Sequence, residues 1–452
     1  MNDSRGISLS VSDGQALDRY EVALAAFRSY RGDPVAPLDA AITRDSGFAA
    51  AHVAKAVMLM SMFERRFARD ALNALEAGAA AIAAGNRREK ALAAAVRQLA
   101  EGDWSGAVRA IDEILVEFPR DILAIQIAHL VDFVRGDALN LRNRISRVLP
   151  HWSPSVPGYP FVVGMHAFGL EECNQYPEAE SAGLRSLALA PEDCWAVHAV
   201  THVYEMQGRI AEGIEFLQTR EGDWATPDNG FAFHNWWHLA LFHLDRGDHG
   251  AALDIYDKVL AQAHAMALSR VDATALLWRL MLEGVDIGGR FNAVADAWQG
   301  DLATEAGFYA FNDFHAAMSF AATARALPAT QLRKTMEEAA WDKGSNGEMT
   351  REVGVDLAEG AFDFAAGRYA EAVRRLAGVR DIASKFGGSH AQRDLITLTM
   401  IEAARRGGDK ASARHYLAER LVHKPASQWG SRIAQRIENA ALQRHESAAL
   451  PS

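Results

Sequence analysis

A short phrase that recurs along the chain constrains the fold more than any other feature. In each copy a helix ends in a glycine-containing turn, and the next helix opens with a bulky residue followed by small residues. Glycine takes the left-handed conformation that ends a helix, and the alternation of large and small side chains lets two helices pack closely. The phrase therefore predicts helix–turn–helix pairs. Its copies begin at Glu101, Gln207, Arg246, Ala366 and Arg406, with a degenerate copy at Asn174.

The spacing of these turns identifies the kind of repeat. Gln175 and Gly208 are 33 residues apart, Gly208 and Gly247 are 39 apart, and Gly367 and Gly407 are 40 apart. The tetratricopeptide unit is a helix pair of about 34 residues, so the chain follows this period loosely, with insertions. One such pair cannot bury its apolar face alone, so neighbouring pairs must stack. We predict an all-α fold, a right-handed superhelical solenoid of tetratricopeptide-like helix pairs.

The pattern also sets the expected domain organisation. Apolar residues follow a 3.6-residue period over most of the 452 residues. We expect a single continuous α-solenoid over residues 14–444, a disordered or frayed N-terminus over 1–13, and a frayed tail over 445–452. The Pro- and Trp-containing loops at 151–160 and 221–229 are the main interruptions.

Composition excludes several classes of partner. The net charge is −11, from 47 Lys and Arg against 58 Asp and Glu, which argues against nucleic acid and against an anionic membrane surface. The two cysteines form no CxxC motif, the N-terminus lacks an apolar signal sequence, and no run approaches the ~18 apolar residues of a membrane span. We expect a cytoplasmic protein without nucleic-acid or membrane partners.

Histidines are concentrated in one region of the chain. His198 and His202 are four residues apart and share a helix face, which Glu205 joins three residues later. His234 and His238 repeat the same spacing 36 residues further on, close to one repeat unit. The two helix faces should therefore look in similar directions, and a cluster on one wall of the solenoid is expected. His166 with Glu171 or Glu172, one unit earlier, would extend it.

These residue types suit a small-molecule site. Imidazole titrates near neutral pH and serves as acid or base, and a carboxylate such as Glu205 can orient a ring. Trp236 and Trp237 offer flat apolar walls, and Asn235 can both donate and accept hydrogen bonds. The alternative is that these side chains pack in the core with one satisfied nitrogen each.

A metal site is a lesser alternative. Two i,i+4 histidine pairs resemble ligand spacing on helices, but there is no HExxH motif and no cysteine in the phrase from Phe233 to His243. We therefore assign no cofactor and no metal ligands from the sequence, and leave a bound metal open.

Two later phrases carry further candidates. One contains Asp313 and His315, and the other runs from Ser389 through His390 to Arg393 and Asp394. Two glycines precede the second phrase, so Ser389 and Arg393 at a helix N-terminus could hold an anion. The plainer interpretation of Ser389 is a helix cap.

Several blocks resemble the tetratricopeptide repeat protein 38 family over residues of about 15 to 430. They are Trp195 through Gly208, His234-Asn-Trp-Trp-His through His243, Asp272 through Arg279, Phe311-Asn-Asp-Phe-His315 and Gly388 through Asp394. The resemblance implies a soluble single-chain solenoid and carries no settled activity. The family's distinctive blocks fall here on polar residues of first helices, namely His198, His202, Glu205, His234, Trp236, Trp237, His238, Asp313, His315, His390, Arg393 and Asp394.

The favoured hypothesis is a small-molecule-binding protein that acts as an enzyme by acid–base chemistry, either hydrolysis or proton transfer of a hydrolase or lyase type, without an organic cofactor. The catalytic candidates are His202, Glu205, His238, Asp313, His315 and His390. The substrate-binding candidates are His198, His234, Asn235, Trp236, Trp237, Arg393 and Asp394. Arg393 would grip an anionic group of the substrate, and Asp313 and His315 would face the other histidines across the groove. The alternative is a non-enzymatic scaffold that binds a peptide or protein partner in the groove.

Overall fold

The computed structural model describes residues 1–448, and side chains up to residue 439. The first half of the chain forms α1 (Gly14–Ser29), α2 (Val35–Arg44), α3 (Ala49–Met60), α4 (Arg65–Ala77), α5 (Ala79–Ala84), α6 (Arg87–Ala100), α7 (Trp104–Glu117), α8 (Ile122–Val134), α9 (Ala138–Val148), α10 (Tyr159–Glu172), α11 (Tyr176–Leu189), α12 (Cys194–Gln207) and α13 (Ile210–Thr219). The second half forms α14 (Glu221–Trp224), α15 (Ala232–Asp245), α16 (His249–Lys258), α17 (Ala267–Leu282), α18 (Arg290–Glu305), α19 (Ala310–Ala322), α20 (Ala326–Ala339), α21 (Ser345–Met349), α22 (Val355–Ala365), α23 (Tyr369–Val379), α24 (His390–Gly407), α25 (Lys410–His423) and α26 (Gln428–Ala448). The predicted all-α solenoid of tetratricopeptide-like helix pairs is confirmed.

The helices alternate between an inner and an outer layer. Inner helices are buried on nearly every side; in α12, every residue except Gln207 is buried. Outer helices such as α13 and α16 bury a single stripe and expose the rest. A helix that is enclosed all round must have its polar side chains satisfied by neighbouring helices, so polar residues on inner helices mark where chemistry can occur. The inner helices around the site are α8, α10, α12, α15, α17, α19 and α24.

The recurring turn phrase has the expected local structure. The carboxylate of Asp193 caps α12 by accepting hydrogen bonds from the backbone N–H groups of Trp195 and Ala196, both at 3.1 Å. Gly208 ends the same helix with φ of 69°, and a Cβ there would lie 2.6 Å from the Cβ of Ala426. Glycine is therefore required at this turn both by conformation and by space.

The superhelix winds so tightly that distant repeats touch. The backbone N–H of Gly230 donates to the carbonyl oxygen of Tyr30 at 2.7 Å, and that of Ala267 donates to the Glu64 carboxylate at 3.0 Å. Helix α24 returns to the centre and packs against α12 and α17. In the described residues, contacts between distant repeats therefore close over the concave groove that the sequence predicts.

Residues 1–13 differ from the disordered or frayed N-terminus that was expected. The Met1 amino group donates to the Leu9 carbonyl oxygen at 3.1 Å, and Ile7 and Leu9 are buried. Arg5 is also buried, because it pairs with Glu21 of α1 at 2.9 Å. Residues 1–13 are therefore ordered by contacts that no local sequence pattern predicts.

At the other end, α26 continues to Ala448, so the frayed tail expected over 445–452 is helical in its first four residues. The remainder of that predicted tail lies outside the described residues. Among the residues that the structure describes, no helix combines the length and the apolar character needed to cross a membrane.

Candidate functional site

Four histidines from two neighbouring inner helices meet at the centre of the molecule. His198 and His202 project from α12, and His234 and His238 project from α15. The ring centroids of neighbouring pairs are 4.4 to 5.1 Å apart, and all four side chains are buried. We call these four residues the histidine cluster. Their meeting follows from the spacing of 36 residues, which places both pairs on the same side of consecutive inner helices.

Carboxylates behind the cluster fix the orientation of two rings. His234 Nδ1 donates to Asp272 Oδ2 at 2.7 Å, and His238 Nδ1 donates to Glu205 Oε2 at 2.9 Å. A histidine that donates from Nδ1 keeps a lone pair on Nε2. The Nε2 atoms of both rings therefore face the cluster as acceptors, and His234 Nε2 lies 3.2 Å from His198 Nε2.

Several buried polar atoms of this region have no hydrogen-bond partner. They include His198 Nδ1, both ring nitrogens of His202, His238 Nε2 and both carboxylate oxygens of Glu171. His202 Nδ1 lies 3.4 Å from Glu171 Oε2, without the geometry of a hydrogen bond. Most buried polar side-chain atoms in proteins are satisfied, so a concentration of unsatisfied atoms at one point indicates a binding site.

Burial sets the charge state of these groups. It lowers the pKa of His202 to about 4, and it lowers the pKa values of His198 and His238 well below the ordinary value. Burial raises the pKa of Glu171 well above its ordinary value. At neutral pH the three imidazoles are therefore neutral, with lone pairs available.

An ion-pair cluster adjoins the histidines and consists of Glu205, Asp394, Arg420 and Lys424. Lys424 Nζ lies 2.8 Å from Glu205 and 3.5 Å from Asp394, which also contacts Arg420 Nε at 2.8 Å. Burial alone raises carboxylate pKa values, but Arg420 and Lys424 lower the pKa of Asp394 below its ordinary value. Lys424 and the hydrogen bond from His238 likewise lower the pKa of Glu205 well below its usual range. These carboxylates are ionised and fully paired.

The edge of the site is formed by Glu172 and the start of α24. Glu172 accepts a hydrogen bond from the backbone N–H of His390 at 2.9 Å and contacts Arg393 at 3.3 Å. Arg393 is therefore paired with a carboxylate of the protein. This differs from the expectation that its guanidinium binds an anionic group of the substrate. Ser389 caps α24, in line with its plainer interpretation. The His390 side chain is 27% exposed, so this edge of the site reaches solvent.

An apolar cavity of about 290 Å³ ends on the histidine cluster. His198 and His234 line it, whereas His202 and His238 lie behind them. Its polar lining also includes Gln392, Asn312 and Glu64. The apolar walls come from widely separated repeats and include Phe27, Tyr30, Met58, Leu130, Phe133, Trp195, Phe231, Phe233, Tyr309 and Phe311.

Two predicted catalytic residues do not join the cluster. Asp313 lies at the start of α19 and accepts the backbone N–H of Gly307 at 3.1 Å. His315 Nδ1 donates to the carbonyl oxygen of Phe311 in its own helix at 2.8 Å. The expectation that this pair faces the other histidines is not met, because both side chains satisfy local backbone groups.

The residues between His234 and His238 have structural contacts. Trp237 is fully buried, with its ring stacked on His234 at 5.2 Å, and Trp236 packs against Trp224 at 5.0 Å. The Asn235 amide donates to the carbonyl oxygen of Cys194 at 3.3 Å. None of the three lines the cavity, where Trp195 and Phe231 instead supply the aromatic walls that were expected from the tryptophan pair.

Several site residues were not identified from the sequence. Asp272 follows His234 by 38 residues, so the repeat spacing that linked the histidines could have revealed it. No such spacing identifies Arg420 and Lys424, because the end of α25 reaches the site only where distant repeats of the superhelix come into contact. Tyr30 reaches the cavity for the same reason, through the contact between α1 and the loop at Gly230.

No family model matches the sequence. Solved structures with a similar course include a tetratricopeptide repeat protein from Parabacteroides merdae, with 10% identity, a TM-score of 0.35, and coverage of 61% of this chain and 97% of that one. The human IFIT1 dimer with m7Gppp-AAAA has 13% identity, a TM-score of 0.43 and 96% coverage of both chains. The Cut9–Hcn1 hetero-tetramer of the APC/C has 12% identity, a TM-score of 0.42, and coverage of 93% and 83%. Likeness at this level carries no argument about function, which must come from the site.

Proposed function

We propose that the protein binds a small, mainly apolar molecule in the central cavity, with one polar group of that molecule directed at His198 and His234. The observation that carries this proposal is the cavity of about 290 Å³ whose apolar walls end on two histidines. An apolar pocket with a few convergent polar groups is the usual form of a small-molecule site. The resemblance to the tetratricopeptide repeat protein 38 family, proposed from sequence blocks, is compatible with such a role.

The lining determines the chemistry of the ligand. Neither lysine nor arginine is among the described residues of the wall, and the only carboxylate is Glu64, whose pKa is raised by burial. Glu64 already pairs with Arg66 at 2.8 Å, so a ligand with a full charge would find no free counter-charge in this cavity. The proposed ligand therefore has a neutral polar group, such as a hydroxyl or a carbonyl, rather than the anionic group expected from Arg393.

Acid–base chemistry remains part of the proposal, with the roles reassigned by position. His234 faces the cavity, and its Nδ1 donates to Asp272, which is fully buried. A carboxylate in this position holds the ring in one tautomer, with the Nε2 lone pair free to accept a proton. His234 is the proposed base for a substrate proton, and Glu205 and His238 lie one layer behind it.

Filling the cavity tests the proposal. Ala26 lines the cavity and Ala25, its neighbour in α1, does not, so Ala26→Leu and Ala25→Leu form a matched pair. Medium-chain alcohols and ketones are titrated by calorimetry into wild type and both variants, and the corresponding esters are screened for turnover. We expect binding to wild type and Ala25→Leu, and at least a tenfold weaker affinity for Ala26→Leu, because the added side chain occupies ligand space. Equal affinity of both variants, or no binding to wild type, would refute the proposal.

Partner binding on the solenoid surface is the second candidate function. Stacked helix pairs create extended surfaces that bind other proteins or peptides. Trp341, just after α20, is 86% exposed, and an isolated tryptophan is a common anchor in interfaces. A stoichiometric partner that is captured by wild type and lost with Trp341→Ala, but retained with Ala26→Leu, would favour this function over the cavity.

A further inference from the structure

We propose that the histidine cluster binds one divalent transition-metal ion, through His198, His202, His234 and His238. This inference goes beyond ligand binding in the cavity, because it requires no molecule there. While a metal is bound, Nε2 of His234 is a ligand, so His234 could act as a base only in the metal-free protein. Each of the four residues offers a ring nitrogen, and these four nitrogens all lie within 4.8 Å of one another. Imidazole is a preferred ligand of zinc, copper, nickel and iron, whereas magnesium and calcium prefer oxygen.

The distance between two of the ring nitrogens matches metal coordination. Zn–N bonds of about 2.0–2.1 Å in a tetrahedron place the nitrogens about 3.3 Å apart. His198 Nε2 and His234 Nε2 are 3.2 Å apart. Because His234 donates from Nδ1 to Asp272, its Nε2 carries a lone pair. A cation shared between the two Nε2 atoms would satisfy both facing lone pairs, and His198 Nδ1 lacks a protein partner with or without it.

The surrounding carboxylates form the outer shell that metal-bound histidines usually have. Asp272 and Glu205 accept hydrogen bonds from the far nitrogens of His234 and His238, at 2.7 and 2.9 Å. Such carboxylate–histidine pairs fix the tautomer and orient Nε2 towards the metal. Two independent pairs aimed at one point are more than the packing of a helical core requires.

The unsatisfied atoms point to the same position. His202 has no hydrogen bond at either ring nitrogen, and His238 has none at Nε2, although both are fully buried. Glu171 lies beside His202 with both oxygens unpartnered. Buried nitrogens and carboxylate oxygens without donors are costly, and a cation bound among them offsets that cost.

The site has a defined place relative to the cavity. His198 and His234 belong both to the cluster and to the cavity wall, so the metal lies at the inner end of the cavity. Two histidines contribute to the wall while the other two close the site from behind. With four histidine ligands the metal would have no open coordination position, so it would close the inner end of the cavity rather than bind the cavity ligand directly.

Metal binding is tested on the full chain with Zn²⁺ and Co²⁺ as probes. After treatment with a chelator, the protein is titrated with Co²⁺, and the visible absorption bands of four-coordinate cobalt are recorded; Zn²⁺ then displaces the cobalt. We expect one equivalent of each metal. His238→Gln should weaken metal affinity by at least about 100-fold, because it removes a direct ligand. Asp272→Asn should weaken it by about 10- to 100-fold, because it leaves all four ligands and alters only their orientation.

A matched control separates the cluster from buried histidines in general. His315 is also fully buried with one unpartnered nitrogen, but it lies outside the cluster, so His315→Gln should bind both metals as wild type does. If His238→Gln fails to fold by circular dichroism, Asp272→Asn decides the matter. Less than one-tenth equivalent of bound Co²⁺ and Zn²⁺ in wild type overturns the proposal, as does equal weakening by His315→Gln and Asp272→Asn. None of these outcomes depends on the cavity ligand, so the two proposals can fail separately.

Discussion

Two buried polar clusters lie side by side at the centre of the molecule and differ in how their atoms are paired. In the ion-pair cluster, Asp394 contacts both Arg420 and Lys424, and Lys424 also contacts Glu205. None of the buried side-chain nitrogens and oxygens of these four residues lacks a partner. In the histidine cluster, by contrast, His198, His202 and His238 all have unpartnered nitrogens. Glu205 joins the two clusters through its hydrogen bond with His238.

The difference in pairing suggests that the two clusters have different roles, one in stability and one in function. Buried charges that are fully paired hold one arrangement of the chain, and here they fasten α25 to α12 and α24. Buried polar atoms without partners give the folded state nothing by themselves, so a chain retains them for an occupant that satisfies them. The histidine cluster is accordingly the candidate site, and the ion-pair cluster is its support.

The largest effect is expected from breaking the ion-pair cluster. Arg420→Met leaves Asp394 buried with only the more distant Lys424, and removing one partner of a buried pair costs about 3–5 kcal/mol. Urea unfolding followed by circular dichroism measures the loss. The control is Arg414→Met, since Arg414 makes the same two-pronged contact with Glu438, but both side chains are 57% exposed. The control should change stability by less than about 1 kcal/mol. A similarly small value for Arg420→Met would show that the ion-pair cluster does not stabilise the fold.

The sequence predicted the parts of this contrast that depend on local pattern. Glycine turns and 3.6-residue periodicity predict the stacked helix pairs, because both signals lie within a single repeat of the sequence. The meeting of His198 and His202 with His234 and His238 follows from the same repeat, since equivalent positions on consecutive inner helices lie side by side.

What the sequence missed depends on contacts between distant repeats. Lys424 meets Glu205 across 219 residues of chain, and Tyr30 reaches the cavity only because α1 touches the loop at Gly230. No local spacing encodes these contacts, which arise from the pitch of the superhelix. Asp313 shows the opposite error, a residue wrongly assigned to the site. Its position near a histidine in the sequence suggested a catalytic role, but its carboxylate accepts a backbone N–H instead.

An intermediate effect is expected at Asp313, a buried carboxylate without a paired cation. Burial raises its pKa from 3.8 to about 7, so the folded state retains a proton that the unfolded state releases above pH 4. The stability associated with this proton is complete below about pH 4 and is lost as the pH rises to about 7. Asp313→Asn keeps an oxygen for Gly307 and carries no charge. It should match wild type near pH 4 and be more stable by about 2 kcal/mol at pH 8, within the limit of about 4 kcal/mol set by the shift.

Asp394→Asn is the control of opposite sign. Because its cations lower the pKa of Asp394, its contribution to stability is present above pH 3.8 and is lost as the pH falls below that value. The amide variant should therefore be less stable than wild type at pH 8, where Asp313→Asn is more stable. Urea unfolding at pH 4 and pH 8 compares both variants, and a loss of stability in both at pH 8 would show that Asp313 is paired in solution.

The smallest effect is expected in the histidine cluster of the metal-free protein. His202→Leu replaces an imidazole whose two ring nitrogens have no partner with an apolar side chain of similar size. The free energy of unfolding should therefore stay within about 1 kcal/mol of wild type or rise. The control is His129→Leu, since His129 Nε2 accepts the indole N–H of Trp195 at 3.2 Å and its loss leaves that donor unsatisfied. The control should lose about 1–3 kcal/mol. If urea unfolding of the chelator-treated proteins shows His202→Leu losing more than His129→Leu, then His202 has a partner even without metal, and the distinction between the two clusters would not hold.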